Sequence, residues 1–334
     1  MIRISIVVPH HNETPKQIAP LLQSLNNQIG IDFNEIEVLF VHDVLDRESP
    51  LASYDFSAYP NLVGHIRHEK SVMANNPGIS RQTGVDLARG DYVFFCDADD
   101  SLYTLGVLRE LTENIQNSNA DMYRFKFLEE VGSPDTSARV YLMKDFNYTW
   151  VFAKAYKVEF LRKNGLRFNP QLRWHEDSYF NFICRYAGAK VVDVNSCPAY
   201  LWRFNASSIT RANHHDYIFN SSDEFITAIA RGIDFVTNTL KKDCMADILG
   251  LVAKSYWELV DPKYANKQNY SNVEQTYANF IHDYIPQLFE DEYEEKIEVS
   301  LSIALSQTAS SALIIPKISF RQYMKTIKEK YFEK

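Results

Sequence analysis

The stretch Tyr92–Asp100, YVFFCDADD, constrains this chain more than any other. Four apolar or aromatic residues and a cysteine run directly into Asp97, Asp99 and Asp100, with Gly90 just upstream. A short, continuous apolar run of this kind predicts a buried strand in a parallel sheet. Ligands of open α/β sheets sit off the carboxyl ends of the strands. Three carboxylates within four residues repel one another unless a cation lies among them. A hard divalent cation meets that need, because Mg2+ or Mn2+ prefers carboxylate oxygens and takes its other ligands from phosphate and water. An Asx-rich turn that caps the next helix is the alternative reading of the same residues.

The chain has 334 residues, enough for two domains. Its 46% hydrophobic and 23% charged content is that of an ordinary globular protein. A net charge of -8 argues against nucleic acid as a partner. Cys96, Cys184, Cys197 and Cys244 are far apart and form no CxxC pair, so they read as buried free thiols of a reducing compartment. The first apolar run, Ile4–Val8, is too short for a signal peptide and has no cleavage site after it. Val299–Ile315 carries five serines, a threonine and Gln307, which predicts a buried helix and not a membrane span. Together these features predict a cytoplasmic protein.

Ile2–Pro9 and Glu37–Val41 read as central strands, and Asn61–Ile66 as a shorter third. Thr14-Pro15-Lys16-Gln17 has the form of a capping box with proline at the first helical position. Pro20 then requires that the helix be kinked or start later. Ile79–Ala88 and Thr104–Asn117 read as helices and Asp121–Leu128 as one strand. This alternation predicts a mostly parallel sheet with right-handed crossovers. Polar residues collect at three strand ends: His11–Glu13, Asp43 and Asp97–Asp100. Val131–Ala138 and Tyr200–Thr210 read as loops, and Trp150–Leu161 mixes aromatics with Lys154 and Lys157. Glu176 and Asp177 open an amphipathic helix, where negative charge is favoured, and the bland reading is that they cap it. Lys190–Val194 reads as a strand. From Tyr217 onward helical spacing dominates, which divides the chain into a domain of residues 1–216 and a helical domain of residues 217–334. Lys317–Lys334, with six basic residues and two acids, reads either as a docked terminal helix or as an amphipathic helix at an anionic membrane surface.

The ordered set Pro9-His10-His11-Asn12-Glu13, His42-Asp43, Asn76-x-Gly78-x-Ser80-Arg81, Asp97-Ala98-Asp99-Asp100, Glu176-Asp177 and Arg203 with Ser207-Ser208 resembles the family 2 glycosyltransferases of the GT-A fold. The resemblance runs from Ile4 to about Thr210. It implies an α/β fold, Rossmann-like, with helices flanking a mostly parallel sheet and a helical C-terminal domain appended. It implies a metal-dependent inverting enzyme that moves a sugar from a nucleoside-diphosphate donor, a UDP-sugar, to a hydroxyl of a glycan, lipid-linked or protein acceptor in cell-surface polysaccharide or other glycoconjugate synthesis. By resemblance Pro9, His11, Glu13 and Asp43 border the base and ribose, and Arg81 reaches the base or diphosphate. Asp97 contacts the ribose or a metal-bound water, and Asp99, in the Asp-x-Asp motif, ligates Mn2+ or Mg2+. Asp177 is the base with Glu176 beside it, Arg203 with Ser207 or Ser208 holds the diphosphate, and Trp174 and Asp100 face acceptor or sugar. Three positions depart from the family's usual pattern: His11-Asn12 stands for Tyr-Asn, His42-Asp43-Val44-Leu45 for Asp-Asp-Gly-Ser, and Gln82 for Asn. The first two flank the base pocket.

The residue types suit that chemistry. A cation and an arginine fork absorb charge growing on a leaving phosphate, and a carboxylate can take the acceptor's proton. Trp150, Trp174 and Trp202 could form a sugar-stacking platform or simply pack. His175 could be a second base or a structural hydrogen-bonding group, and His214-His215 could ligate a metal. A catalytically silent nucleotide-sugar or carbohydrate-binding scaffold is the alternative function, with the C-terminal domain binding acceptor, mediating homo-oligomeric assembly or meeting the inner face of the membrane. A nucleotidyltransferase would need a Gly-rich loop after Pro9 and a dinucleotide oxidoreductase a GxGxxG turn, and the chain has neither. A glycosidase needs acids on opposite faces of the bond, which adjacent residues cannot supply.

Overall fold

The computed structural model describes residues 2–44, 48–132, 138–205, 219–290, 292, 294–309 and 316–333. The chain forms two compact units, Met1–Ala212 and Asn213–Lys334. In the first, the elements run β1 (Ile4–His10), α1 (Pro15–Asn26), β2 (Ile36–His42), β3 (Ile66–Lys70), α2 (Pro77–Leu87), β4 (Tyr92–Phe95), β5 (Ser101–Leu102), α3 (Val107–Ser118), β6 (Met122–Phe125), β7 (Phe127–Gly132), β8 (Arg139–Lys144), β9 (Lys154–Lys157), α4 (Val158–Lys163), α5 (Glu176–Tyr186), β10 (Val191–Val194) and β11 (Tyr200–Trp202).

Seven strands form the main sheet in the order β10-β6-β9-β4-β1-β2-β3. All neighbours are parallel except β9, which runs antiparallel to β4 and β6. β2 and β4 are buried along their whole length and β1 nearly so, as expected of strands covered on both faces. The register pairs His10 with His42 and Val7 with Phe95. The carboxyl ends of β1, β2 and β4 therefore open on one edge. A second sheet, β5-β11-β7-β8, lies in the same unit.

Several elements differ from the sequence reading, each for a physical reason. The third strand is Ile66–Lys70, not 61–66. It is a half-exposed edge strand, IRHEK, so no apolar run marks it, while Asn61 is held in a turn by Asn26. The helix α1 begins at the capping box and continues through Pro20, with the Gln17 side chain accepting the Thr14 N–H at 2.9 Å. Residues 121–128 form two strands in different sheets, broken at Lys126. Residues 131–132 and 200–202, read as loop, are strand: β11 pairs with β5 and β7. Cys197 is exposed, whereas the other three thiols are buried.

The second unit contributes helices Ser222–Phe235, Met245–Leu259, Tyr270–Tyr284, Glu295–Ala309 and Phe320–Tyr331. The described part of the segment 299–315 is not a buried helix, since Val299 and Ile303 are exposed. Helix Phe320–Tyr331 buries Phe320, Tyr323, Met324 and Ile327 within its own unit, with Tyr256 packed on Phe320 and Tyr323. It is the docked terminal helix, its apolar face already covered. Glu274, buried on helix Tyr270–Tyr284, fastens it by accepting from Tyr323, Lys330 and Tyr331.

One contact fixes the height of α2 above the sheet. A Cβ on Gly84 would lie 2.2 Å from Val7 Cγ1, so α2 can sit this close to β1 only with glycine there. Gly84→Ala is expected to lower the unfolding free energy by about 1–3 kcal/mol, the usual cost of overpacking. An unchanged urea midpoint would show that α2 has room to move.

Candidate active site

The strand edge supplies the first group of side chains. Beyond β1, the Glu13 carboxylate accepts the His11 N–H at 2.7 Å and closes the turn. The β1–β2 register brings Asp43 alongside, where its Oδ1 lies 2.5 Å from His11 Nδ1. Pro9 sits half-buried within β1. His10 stacks on His42 at 4.8 Å between ring centroids. Burial first, then the neighbouring His42, push the His10 pKa down to about 3, so it is neutral. Burial and the nearby Asp99 raise Glu13.

The three acids after β4 have three different environments. Asp100 is buried and both its oxygens are occupied: Tyr200 Oη donates to Oδ2 at 2.7 Å and the Arg203 N–H to Oδ1 at 2.8 Å. It pins β11, and both oxygens that the resemblance set against acceptor or sugar accept from within the protein. The same Tyr200 hydroxyl accepts the Asp97 N–H at 2.9 Å. Asp99 receives Asn205 Nδ2 at 2.8 Å, and burial raises its pKa. Asp99, Arg203 and Asn205 line a cavity of about 470 Å3 with Lys16, Gln17 and Arg139. Asp97 turns toward α2.

There it meets Arg81. The guanidinium is buried and holds three carboxylates: Nη2 donates to Asp97 Oδ1 at 2.8 Å, and Nη1 to Glu176 Oε1 at 2.8 Å and Asp177 Oδ1 at 3.1 Å. The resemblance set Arg81 against the nucleotide; the structure makes it an internal brace, with its Nη atoms turned to carboxylates. α2 carries it there because Asn76 caps the helix, accepting the Ile79 N–H at 3.0 Å, while its amide donates to the carbonyls of Pro170 and Leu172 ahead of α5. His175, in the left-handed region at φ 56°, precedes the helix and puts both acids in its first turn.

Within this cluster the groups are not equivalent. The side chains of Asp97 and Asp177 are 31% and 15% exposed, against 6% for Arg81. The acids can face a ligand while their brace cannot. Burial, then Asp177, push Glu176 up to about 7 against the pull of Arg81. Burial also raises Asp177, again opposed by Arg81 and by the Val151 N–H, which donates to Oδ2 at 3.1 Å.

Trp150 and Trp202 pack on each other at 5.3 Å and on Phe152, which stacks on Tyr200 at 4.7 Å. This cluster reaches the acids through Tyr200, whose hydroxyl bonds Asp97 and Asp100. Trp174 is half-buried beside the acid pair. Ser207, Ser208, His214 and His215 lie outside the described residues. No group of three or more His, Cys, Asp or Glu side chains converges on a metal position among the described residues. The donor set fits a cation of the Mg2+ or Mn2+ type only with Asp99 as an oxygen ligand and the others supplied by phosphate and water. Sequence reasoning missed Asn205 and Tyr200. Asn205, two residues past Arg203, could have been noticed; nothing in the sequence marks Tyr200 as a bridge between two aspartates.

A profile of the family described as Glycosyl transferase family 2 matches residues 5–184. The chain is 24% identical over 225 residues to the uncharacterized glycosyltransferase EpsJ of Bacillus subtilis, covering 62% of each chain. It is 27% identical over 203 residues to the poly(ribitol-phosphate) beta-glucosyltransferase of Bacillus spizizenii, covering 58% of this chain and 31% of the relative. It thus spans less than two thirds of either relative's length. The crystal structure of Staphylococcus aureus TarS superposes with a TM-score of 0.65 at 17% identity, covering 99% of this chain and 55% of TarS. TarS 1–349 in complex with UDP-GlcNAc superposes with a TM-score of 0.62 at 17% identity, covering 98% of this chain and 92% of that one. At these identities the likeness is one of fold.

Removing the brace should expose its cost. Arg81→Met is expected to destabilise the protein by about 3–5 kcal/mol, because buried carboxylates lose their cation. Glu176 and Asp177, already raised by burial, lose the opposing pull of Arg81 and rise further, so the native state binds more protons than the unfolded one and stability falls more steeply as pH rises. Urea unfolding should therefore show a larger deficit at pH 8 than at pH 5. Equal deficits would mean that charge is not the cause.

Proposed function

The chain belongs to glycosyl transferase family 2, and from that premise we propose that it transfers a sugar from a UDP-sugar to an acceptor hydroxyl with inversion, assisted by Mn2+ or Mg2+. The observation that supports this most is the junction at Arg81, where an acid from the β4 end and an acid from the α5 start share one guanidinium beside the Asp99 cavity. Donor chemistry on one side and acceptor chemistry on the other need such a meeting point. The donor class is supported by fold neighbours solved with UDP, with UDP-GlcNAc and, in the Pyrobaculum calidifontis mannosyltransferase PcManGT, with GDP-Man and Mn2+. An acceptor hydroxyl on a glycan or polyol-phosphate polymer is supported by the name of the Bacillus spizizenii relative.

In this reading His11, Asp43, Glu13 and Pro9 border the base and ribose, and Asp97 the ribose. A divalent cation held by Asp99 would neutralise charge on the departing diphosphate. Arg203, fixed through its backbone by Asp100, directs a guanidinium at the phosphates, with Ser207 or Ser208 as further donors. Asp177 accepts the acceptor's proton. Each of its oxygens keeps a lone pair after receiving Arg81 and Val151, and burial raises its pKa, the direction that makes a carboxylate a better proton acceptor. Glu176, raised to about 7, shares the proton load of the pair. Trp174 offers a ring to the acceptor or sugar.

Two measurements test the reading. In a UDP-release assay across nucleotide sugars, one UDP-sugar should be consumed with Mn2+ and spared with EDTA; no consumption of any would remove the enzyme reading. Asp177→Asn should lower kcat by about 10²- to 10⁴-fold, the usual share of a general base, while calorimetric UDP affinity stays within about twofold. Transfer by this variant at the wild-type rate would remove the base.

A further inference from the structure

Lys154, at the start of β9, is a buried cation that the proposed reaction does not use. Its Nζ donates to the Trp150 carbonyl at 2.5 Å, and Asn147 Oδ1 lies 3.4 Å away. Among the described residues no carboxylate lies within ion-pair distance of it. A buried ammonium without a direct counter-ion is costly, which calls for a compensating role.

The Trp150 carbonyl belongs to the same planar peptide unit as the Val151 N–H. That N–H donates to Asp177 Oδ2 at 3.1 Å. Asn181, one turn along α5, adds its amide to the same carbonyl at 3.1 Å and to the Asp177 carbonyl at 3.0 Å. Asn181 is itself held by Tyr156 Oη at 2.8 Å. A carbonyl that accepts from a cation polarises its own N–H, so the peptide acts as one link of a cooperative chain. We propose that Lys154 is a positioning residue for Asp177, fixing the orientation of its carboxylate and stabilising its charged form through the peptide between Trp150 and Val151. The proposal rests on the reading of Asp177 as the base.

The charged groups facing Lys154 are Asp177 from α5 and Arg124 from β6; Arg124 is paired with Asp193 from β10. Burial pulls Lys154 down to about 7, against the attraction of Asp177 and with help from Arg124. The ammonium is therefore lost as pH rises through neutrality, and the charged chain ends with it. Arginine at the same position would keep its charge at any working pH.

The experiment uses the full chain and reads the Asp177 carboxyl directly, by ¹³C NMR titration with its signal assigned through Asp177→Asn. Lys154→Met should move the Asp177 titration upward by about one pH unit or more, because a carboxylate that loses a cation is harder to ionise. With the nucleotide sugar consumed in the UDP-release assay, this variant should lose kcat about tenfold or more and keep its donor KM within about twofold. Lys154→Arg should restore the Asp177 titration and abolish the decline in rate above about pH 7 that is expected of the wild type. An Asp177 titration in Lys154→Met that overlays the wild type would overturn the proposal. Should Lys154→Met fail to fold, an alkaline decline in Lys154→Arg identical to the wild type would overturn it equally. These outcomes separate from failure of the base reading: an active Asp177→Asn removes the base whatever Lys154 does, and the NMR shift needs no turnover.

Discussion

One buried guanidinium holds the first unit's chemistry together. Arg81 is the point where α2, the end of β4 and the start of α5 meet, and it does so through three carboxylates. One positive charge among three negative ones cannot keep all three ionised in a low-dielectric interior. Burial, then the neighbouring Asp177, raise the Glu176 pKa to about 7 against the pull of Arg81. Burial raises both acids of the pair while Arg81 holds both down, and the Asp177 side chain stays the more exposed, 15% against 11% for Glu176. Two adjacent acids thereby differ in exposure and partners, the kind of difference by which environments push carboxyl groups apart. The same field sets a limit: any change that removes Arg81 converts three partners into a repelling group.

The three aspartates after β4 show a comparable division. Asp100 is spent on structure, Asp99 faces the cavity, and Asp97 joins the brace. Tyr200 couples the first and last, donating to the Asp100 carboxylate while accepting the Asp97 N–H. The backbone of Arg203 is fixed by the same Asp100. The second sheet therefore has a clear purpose in the site: β11 carries Tyr200 and leads directly into Arg203. Without that strand Asp100 would be a buried acid without hydrogen-bond partners, a costly state.

Much of this was legible in the sequence because it follows from burial. The strands β1, β2 and β4 are continuous apolar runs, and each ends in polar residues that project from one sheet edge. The acids at the α5 start announce themselves by position. What could not be read is direction. Arg81 follows a glycine and a serine at a helix start, which suits a ligand contact as well as it suits an internal brace; only the packing of Asn76 under Pro170 and Leu172 decides between them. β3 is a polar edge strand with no period to find, and the break at Lys126 that sends β6 and β7 to different sheets depends on partners far along the chain. Lys154 stood among aromatics with no visible task, because its partner is a backbone carbonyl and leaves no mark on the sequence.

A family fold with strand-end residues on one side and an acid pair on the other makes chemical sense only if both sides touch one donor. A crystal structure of the protein with UDP and Mn2+, read by the anomalous signal of manganese, tests this most directly. The account predicts a manganese peak bonded to Asp99 and the diphosphate, Arg203 on the phosphates, and the open side of the β-phosphate facing Asp177. A nucleotide bound elsewhere, or a manganese peak away from Asp99 with Asp177 turned from the phosphates, would contradict it.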